Sequence, residues 1–200
     1  MFLSIHDELV VYTMSERQVV DNKGQIIGLY IAVKDITQYN KMVTMLEQEA
    51  DIDQLTGIAN RRSYEQQYME MDKEENLPLS VIIADVNGLK KVNDQLGHNF
   101  GDELLCSVVT AILRACPENA FFARIGGDEF AIIIPRCANV TVNSLIEEMK
   151  ESLKHEKTEL FIPSVAFGAA TKTHIEQNMQ NLISEADKKM YQQKEYDRRK

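Results

Sequence analysis

The stretch AFFARIGGDEFAIIIP, from Ala120 to Pro135, decides how the chain is expected to fold. Two runs of apolar and aromatic residues flank a glycine pair, and this pattern predicts two antiparallel strands joined by a tight turn. Gly126 and Gly127 would supply the positive φ angles that a two-residue hairpin loop requires. Two adjacent acids, Asp128 and Glu129, follow the glycines directly, although like charges repel at such a tip.

The segments around this hairpin follow an order that is typical of one fold class. An apolar strand, LSVIIAD, and an amphipathic helix precede it, and a helix, a strand and a closing helix follow it. The preceding helix carries apolar residues at helical spacing, namely Leu104, Leu105, Val108, Val109, Ile112 and Leu113. The order βαββαβ predicts an α+β fold with a ferredoxin-like, palm-type core, in which helices flank an antiparallel-rich sheet on one face.

The N-terminal part of the chain differs from this core. Residues 1–37 are rich in β-forming residues, and an NKG turn within them predicts a short antiparallel hairpin. Residues 38–52 carry apolar positions at helical spacing, which are Tyr39, Met42, Leu46 and Ala50. We therefore expect a β fragment at 1–37, a helical linker at 38–52, for which a plain linker is the alternative, and the main domain at 53–200.

Composition excludes several classes of function. The chain has 200 residues, 44% of them hydrophobic, which suffices for one packed domain and a fragment of another. A formal net charge of -9 argues against a general binder of nucleic acid or of anionic membranes. No apolar run approaches the roughly 18 residues of a membrane span. The three cysteines are typical of buried thiols in a reducing compartment, so we expect a cytoplasmic chain, with any membrane anchor upstream in a longer parent protein.

Asp85 ends the buried strand LSVIIAD, which contains no charge partner for it, so its carboxylate must face solvent or a cation. In the predicted strand order the hairpin tip lies beside this strand end, which would bring Asp85, Asp128 and Glu129 together. Three carboxylates would repel one another unless a divalent cation neutralised them, and hard oxygen ligands suit Mg²⁺. A solvated turn with two surface acids is the alternative for the hairpin tip.

Several motifs in the right order resemble one family. GGDEF in RIGGDEFAIIIP, together with DQLTGIANRRSYE, IADVNGLKKVNDQLGHNFGDELL and ADKKMYQQKEYDRR, is similar to the GGDEF domains, the diguanylate cyclases of bacterial signalling. The resemblance extends from Asp53 through almost all of the remaining chain. It implies that Asp85, the backbone carbonyl of Val86, Asp128 and Glu129 bind Mg²⁺, with Mn²⁺ as the alternative. It also implies that Asp128 accepts a proton and that Glu129 is needed for activity.

The resemblance assigns a second group of residues to the phosphates of a nucleotide. Lys90 matches a lysine near the phosphates, and Lys194 and Arg198 match cations near the terminal phosphate. A frayed basic helix end is the alternative for Lys194 and Arg198. Gly126 and Gly127 lack side chains, so a nucleotide could approach the backbone there.

A third group would recognise the base. Asn93, His98 and Asp102 match positions associated with substrate binding, where Asn93 and Asp102 read the guanine edge. An amide and a carboxylate can satisfy the acceptor and donor edge of guanine while leaving adenine mismatched. Lys90 and Asn93 are three residues apart, so one helical turn would direct both to the same cleft. Alternatively, His98 is an ordinary histidine in a turn and contacts no ligand.

The implied reaction condenses two GTP molecules into cyclic di-GMP and releases pyrophosphate. Because one domain would hold one GTP, the resemblance implies a two-fold homodimer that shares the active site. A GTP-binding regulatory module without turnover is the alternative from another class, and a different palm-type cyclase or polymerase is a third. Many family members carry an arginine and an aspartate as a product-inhibition site where this chain has PENA, Pro117–Ala120, so we expect that site to be absent.

The N-terminal stretch GQIIGLYIAVKDIT is similar to the last strands of a PAS sensory domain. Residues 1–37 are too few for the whole module, which needs about a hundred residues to enclose a ligand pocket. We therefore interpret them as a truncated remnant that has no sensing function of its own. An upstream sensory domain would belong to a longer parent protein.

Overall fold

The structure, a computed structural model, describes residues 2–5, 8–39, 41–42, 51–156 and 162–199. It divides into two compact units, Met1–Ala50 and Asp51–Lys200. Within the predicted linker, residues 38–39 and 41–42 are helical. Residues 40 and 43–50, which include Leu46 and Ala50 of the expected apolar stripe, lie outside the described residues.

The N-terminal unit contains a three-stranded antiparallel sheet in the order β1-β2-β3, with β1 at Phe2–Ile5, β2 at Glu8–Val20 and β3 at Ile26–Asp35. The carboxylate of Asp21 closes the turn between β2 and β3, because its Oδ1 accepts hydrogen bonds from the backbone N–H groups of Lys23 and Gln25, both at 2.8 Å. Gly24 adopts a φ of 79° in this turn, which glycine can do without steric cost. The predicted NKG hairpin is confirmed.

The larger unit has helices and strands in the predicted order. They are α1 (Arg61–Met71), β4 (Leu79–Val86), α2 (Leu89–Leu96), α3 (His98–Ala115), β5 (Phe121–Arg124), β6 (Glu129–Ile134), α4 (Asn139–His155), β7 (Val165–Lys172) and α5 (Met179–Arg198). The strands form one sheet in the order β5-β6-β4-β7, and every neighbouring pair is antiparallel. Strand β6 thus lies between β4 and β5, which is the split βαβ arrangement. The predicted fold class is confirmed.

Helices cover both faces of this sheet, so the expectation of one covered face is wrong. Ile82 and Ala84 pack in a buried cluster with α3 and α4, whereas Val81 and Ile83 pack in a second cluster with α1 and α5. Successive residues of a strand point to opposite faces, and all of β4 is buried. A strand that is buried on both faces has a continuous apolar run instead of an alternating pattern, as LSVIIAD does.

Helix α3 uses most of its predicted apolar face for packing. Leu104, Leu105, Val108, Val109 and Ile112 are buried, but Leu113 is 50% exposed. Each residue advances about 100° around a helix, so Leu113 lies beside the stripe that ends at Ile112 and faces solvent. Among the helices that the structure describes, none is long and apolar enough to cross a membrane.

Candidate functional site

A cleft of about 670 Å³ opens where β4 ends and α2 begins. Residues from four separated parts of the chain line it, and five of them were predicted from the sequence: Val86, Lys90, Asp128, Lys194 and Arg198. The cleft therefore combines the end of β4 with the helix α2 that follows it, the hairpin tip, Ser164 just before β7, and the end of the last helix.

The sheet register brings the hairpin tip to the end of β4. Asp85 pairs with Glu129 of β6 and with Ala166 of β7. The backbone N–H of Val86 donates a hydrogen bond to the carbonyl oxygen of Asp128 at 2.9 Å. The predicted proximity of Asp85 to the hairpin tip is therefore confirmed, although the residues are far apart in sequence.

Asp85 is a buried carboxylate that faces a cation. Only 5% of the residue is exposed, and its Oδ1 accepts a hydrogen bond from the ammonium group of Lys194. Burial raises the pKa of Asp85 and the nearby Asp128 raises it further, while Lys194 and Arg198 act in the opposite direction. The cation expected at Asp85 is therefore supplied, in this structure, by the chain itself.

A close contact between helix and sheet determines where Lys194 lies. A Cβ on Gly168 of β7 would be 2.1 Å from the carbonyl oxygen of Ala186 and 2.1 Å from the backbone nitrogen of Met190, both in α5. Only glycine allows α5 to approach β7 so closely. The ammonium group of Lys189 also donates a hydrogen bond to the carbonyl oxygen of Ala169 at 3.0 Å. Helix α5 is thus held tightly against the sheet one turn before Lys194.

The glycine pair does not have the predicted backbone conformation. Strands β5 and β6 are joined by the four residues Ile125–Asp128, and the backbone N–H groups of Ile125 and Gly126 both donate to the carbonyl oxygen of Glu129, at 2.9 and 3.2 Å. Neither Gly126 nor Gly127 has a positive φ. The prediction of a two-residue loop is wrong because the longer connection turns without left-handed residues.

The two glycines differ in their surroundings. A Cβ on Gly126 would lie 2.5 Å from Oε2 of Glu129, so the Glu129 side chain occupies the space above this glycine. A Cβ on Gly127 would have no atom of the described residues within 4 Å. Neither its backbone conformation nor packing against those residues therefore requires a glycine at Gly127, which leaves its backbone open to a ligand.

The three carboxylates do not all converge. In the described parts of the chain there is no group of three His, Cys, Asp or Glu side chains that could hold a metal ion. Glu129 lies over Gly126, so the expected convergence of its side chain with Asp85 and Asp128 is not seen, and its role as a metal ligand stays a prediction. Val86 and Asp128 line the cleft, and Asp85 directly precedes Val86 and is influenced by the charge of Asp128. Few protein oxygens beside a phosphate site suit Mg²⁺, so this reduced set fits the ion.

The residues predicted to recognise the base lie on α2 and α3. Asn93 packs against Gly101, where a Cβ would be 1.9 Å from the Asn93 Oδ1. This Oδ1 is buried and has no hydrogen-bond partner within the described structure. His98 and Asp102 lie at the start of α3 and are exposed. These three residues are not among those that line the cleft, so their predicted role in binding guanine stays a prediction.

Six further polar residues line the cleft and were not assigned to it from the sequence: Asn87, Lys91, Asp94, Gln95, Ser164 and Asp197. Asp94 is four residues from Lys90 and so lies on the same helix face, a spacing that could have identified it. Ser164 had no local signal, because it reaches the cleft through tertiary contacts. Its carbonyl oxygen accepts a hydrogen bond from the Asn87 backbone N–H at 2.8 Å, and its Oγ accepts one from the Asn87 side chain at 3.1 Å.

Arg124 connects the hairpin tip to Asp53. One of its guanidinium nitrogens, Nη1, donates to Asp53 at 3.1 and 3.3 Å, and Nη2 donates to the carbonyl oxygen of Gly127 at 2.7 Å. Burial opposes the ionisation of Asp53, but hydrogen bonds from Thr56 and Arg124 outweigh it and lower the pKa of this carboxyl group. Sequence reasoning did not identify this link.

Comparison with known proteins shows which family the larger unit matches. Residues 50–200 match a family model described as "Diguanylate cyclase, GGDEF domain". Cyclic di-GMP phosphodiesterase PdeB of Shewanella oneidensis is 31% identical over 173 residues, which are 84% of this chain and 20% of the relative. A diguanylate cyclase of Vibrio cholerae is 28% identical over 178 residues, which are 86% of this chain and 55% of the relative. The chain thus spans between a fifth and about half of the length of these two proteins.

A solved structure shows the same fold. The coiled coil and GGDEF domain of DgcB from Caulobacter crescentus, in complex with c-di-GMP, matches with a TM-score of 0.73 and 25% sequence identity. The match covers 80% of this chain and 88% of that one.

Proposed function

Because the chain belongs to the GGDEF domain family of diguanylate cyclases, we propose that it is itself a diguanylate cyclase that requires Mg²⁺, with Mn²⁺ as a substitute. It would condense two GTP molecules into cyclic di-GMP and release pyrophosphate. The observation that carries this proposal is the buried carboxylate of Asp85, which accepts a hydrogen bond from Lys194 next to a cleft that Lys90, Asp128, Lys194 and Arg198 line.

Asp85, Asp128 and the Val86 carbonyl would hold the metal ion. A bound Mg²⁺ would lower the pKa of the attacking hydroxyl group and neutralise charge on the phosphoryl oxygens. The 3′-oxygen of one GTP forms a bond to the α-phosphorus of the other, and the bond from that phosphorus to pyrophosphate breaks. Asp128 accepts the proton that the hydroxyl group loses. Glu129 is required in this scheme for activity and would act from its position over Gly126.

The remaining residues would bind and orient GTP. Lys90, Lys194 and Arg198 carry positive charge into the cleft, where they would neutralise the triphosphate. The open backbone at Gly127 would allow the nucleotide to approach closely.

Guanine recognition falls to α2 and α3. The buried, unpaired Oδ1 of Asn93 supports a base contact, because a buried polar atom is costly unless a ligand satisfies it. Asp102 and His98 would contribute the other contacts to the guanine base.

Product formation needs two domains. Each domain would hold one GTP, and two 3′-hydroxyl groups must each reach the other nucleotide, so we propose a two-fold homodimer with the substrates at its interface. Residues 1–37 would be the end of a PAS-type module in a longer parent protein with an upstream sensory domain. The three antiparallel strands of the N-terminal unit support this assignment. A cytoplasmic location, where GTP is available, follows from the proposed substrate.

A regulatory module that binds GTP without turnover is the second candidate. One relative carries the name of a cyclic di-GMP phosphodiesterase, so related sequences also occur in proteins with the opposite activity. An intact Asp85 and Asp128 favour turnover over this alternative.

The deciding experiment is a turnover assay with GTP and Mg²⁺, with cyclic di-GMP measured by mass spectrometry. It should be run with the native chain and with a version dimerised through a fused coiled coil. We expect product from at least the dimerised form, and we expect Asp128→Ala to abolish it. Glu148→Ala, on the exposed surface of α4, is the matched control and should keep full activity. Tight GTP binding without product in every form would favour the regulatory module.

A further inference from the structure

Lys194 contacts both the acidic and the phosphate-binding part of the cleft. Its ammonium group donates to Oδ1 of Asp85, and its side chain, which is 16% exposed, also lines the cleft beside Asp128. In the proposed function this same lysine binds the phosphates of GTP. A divalent ion at Asp85 and the ammonium group of Lys194 compete for the same carboxylate oxygen, so binding of the ion requires Lys194 to leave Oδ1.

Asp85 cannot easily lose its cation. The carboxylate is buried and lies close enough to Asp128 to be disfavoured by its charge. Arg198 is the other cation whose charge acts on Asp85, but its guanidinium group pairs with Glu195 at 3.0 Å and is 61% exposed. A buried charge that loses its only close partner destabilises the protein strongly. Lys194 is therefore expected to leave Asp85 only when another cation replaces it.

The movement needed is confined to a side chain. Helix α5 is held against β7 at Gly168, so its backbone has no room to shift toward the sheet. A lysine head on a flexible four-carbon stem can instead change partner by rotating its own bonds. Lys194 can thus move its ammonium group from the carboxylate of Asp85 to a phosphate bound in the cleft while the helix stays in place.

We propose that Lys194 occupies the place of the divalent ion at Asp85 until a nucleoside triphosphate draws its ammonium group away and the metal takes over the carboxylate. The inference rests on the proposed function, since it assumes a metal and a triphosphate in this cleft. It makes the two ligands mutually dependent: metal alone must compete with Lys194, and the triphosphate relieves that competition. By thermodynamic linkage each ligand then strengthens the binding of the other.

The test measures binding of Mn²⁺ alone to the full chain by electron paramagnetic resonance, which reports free Mn²⁺ and needs no turnover. We expect weak binding to the wild-type protein and at least tenfold tighter binding to Lys194→Met. Lys194→Arg, which keeps a cation beside Asp85, should bind as weakly as wild type. Lys91→Met removes an exposed lysine of the same cleft and should also resemble wild type. Asp85→Asn combined with Lys194→Met should lose the gain.

A second readout covers the case in which Lys194→Met folds poorly. In the presence of EDTA its melting temperature should fall below that of wild type, and added Mn²⁺ should restore it, because the ion replaces the lost ammonium group. Lys194→Gln provides a second variant for both measurements.

The inference is overturned if Lys194→Met binds Mn²⁺ no more tightly than wild type, or if Lys91→Met produces the same gain. Absence of Mn²⁺ binding in every variant also overturns it. Tighter Mn²⁺ binding by Lys194→Met, together with no cyclic di-GMP from GTP in the wild-type chain and in its dimerised version, would uphold the inference and refute the proposed function, so the two failures are distinguishable.

Discussion

Arg124 connects Asp53, near the beginning of the larger unit, to the carbonyl oxygen of Gly127 in the hairpin tip. Its two terminal nitrogens divide the contacts, with Nη1 on the carboxylate at 3.1 Å and Nη2 on the carbonyl oxygen at 2.7 Å. The backbone N–H of Arg124 also donates to the carbonyl oxygen of Ala59 at 2.8 Å. The segment that enters the domain is therefore joined to the loop that is proposed to bind nucleotide.

Replacing Arg124 with lysine should separate these two contacts. A single ammonium group cannot span both partners as the planar guanidinium group does. We expect GTP turnover to fall by at least tenfold and the free energy of unfolding to fall by about 1–3 kcal/mol. Urea denaturation and initial rates measure the two effects. Arg114→Lys, whose arginine pairs with Glu156 on the surface, is the control and should change neither quantity appreciably. Full activity in Arg124→Lys would show that the link does not position the loop.

The hydrogen bonds that Asp53 accepts from Thr56 and Arg124 also predict how stability depends on pH. The pKa of Asp53 is lowered below its ordinary value of 3.8, so the folded protein favours the ionised form. This contribution is present above pH 3.8 and is lost as the pH falls through the lower pKa of the folded state. Asp53→Asn should therefore be less stable than wild type at neutral pH, and the difference should shrink below pH 3.8. Urea denaturation across this range tests the prediction, and a difference that stays constant with pH would contradict it.

Gly127→Ala should weaken nucleotide binding without destabilising the fold. The residue has no positive φ, and an added methyl group would meet no atom within 4 Å in the part of the chain that the structure describes. We expect the free energy of unfolding to change by less than about 0.5 kcal/mol. Affinity for a non-hydrolysable GTP analogue should fall at least tenfold, as calorimetry would measure, because the methyl group occupies the path to the backbone. Unchanged affinity would place the nucleotide elsewhere.

Gly168→Ala is the contrasting variant for this experiment. Its methyl group would enter the backbone of α5, so we expect a strongly destabilised protein instead of a selective loss of binding.

Tyr64→Phe should leave stability unchanged or raise it by about 1 kcal/mol. The Tyr64 hydroxyl group is buried under α1 without a hydrogen-bond partner among the described residues. Burial raises the pKa of Tyr64 to about 12, with a smaller contribution from Tyr68, so the group stays neutral at physiological pH. Tyr64→Ala, which leaves a cavity, should instead cost about 3–5 kcal/mol. Thermal and urea denaturation measure both variants, and a large loss in Tyr64→Phe would reveal a partner for the hydroxyl group.

Local patterns were sufficient to identify the strands and helices of the core. The run LSVIIAD, the apolar stripe of α3 and the hairpin sequence each depend on neighbours within a few residues, and their order implies the strand order. The same reasoning wrongly predicted that Leu113 is buried, because burial at the edge of an apolar helix face depends on which neighbouring elements pack there. It also failed for the glycine pair, whose conformation depends on the length of the connection and on the Glu129 side chain.

By itself the sequence determined the fold class, the family and five of the residues that line the cleft, because motif spacing and periodicity are local properties of the chain. It did not identify Lys91, Asp94 or Asp197 there. Only the tertiary structure decided which of these groups touch. It placed Lys194 on Asp85, turned Glu129 toward Gly126 and joined Arg124 to Asp53. These contacts depend on sheet register and on the close packing of α5, which bring together residues that are far apart along the chain.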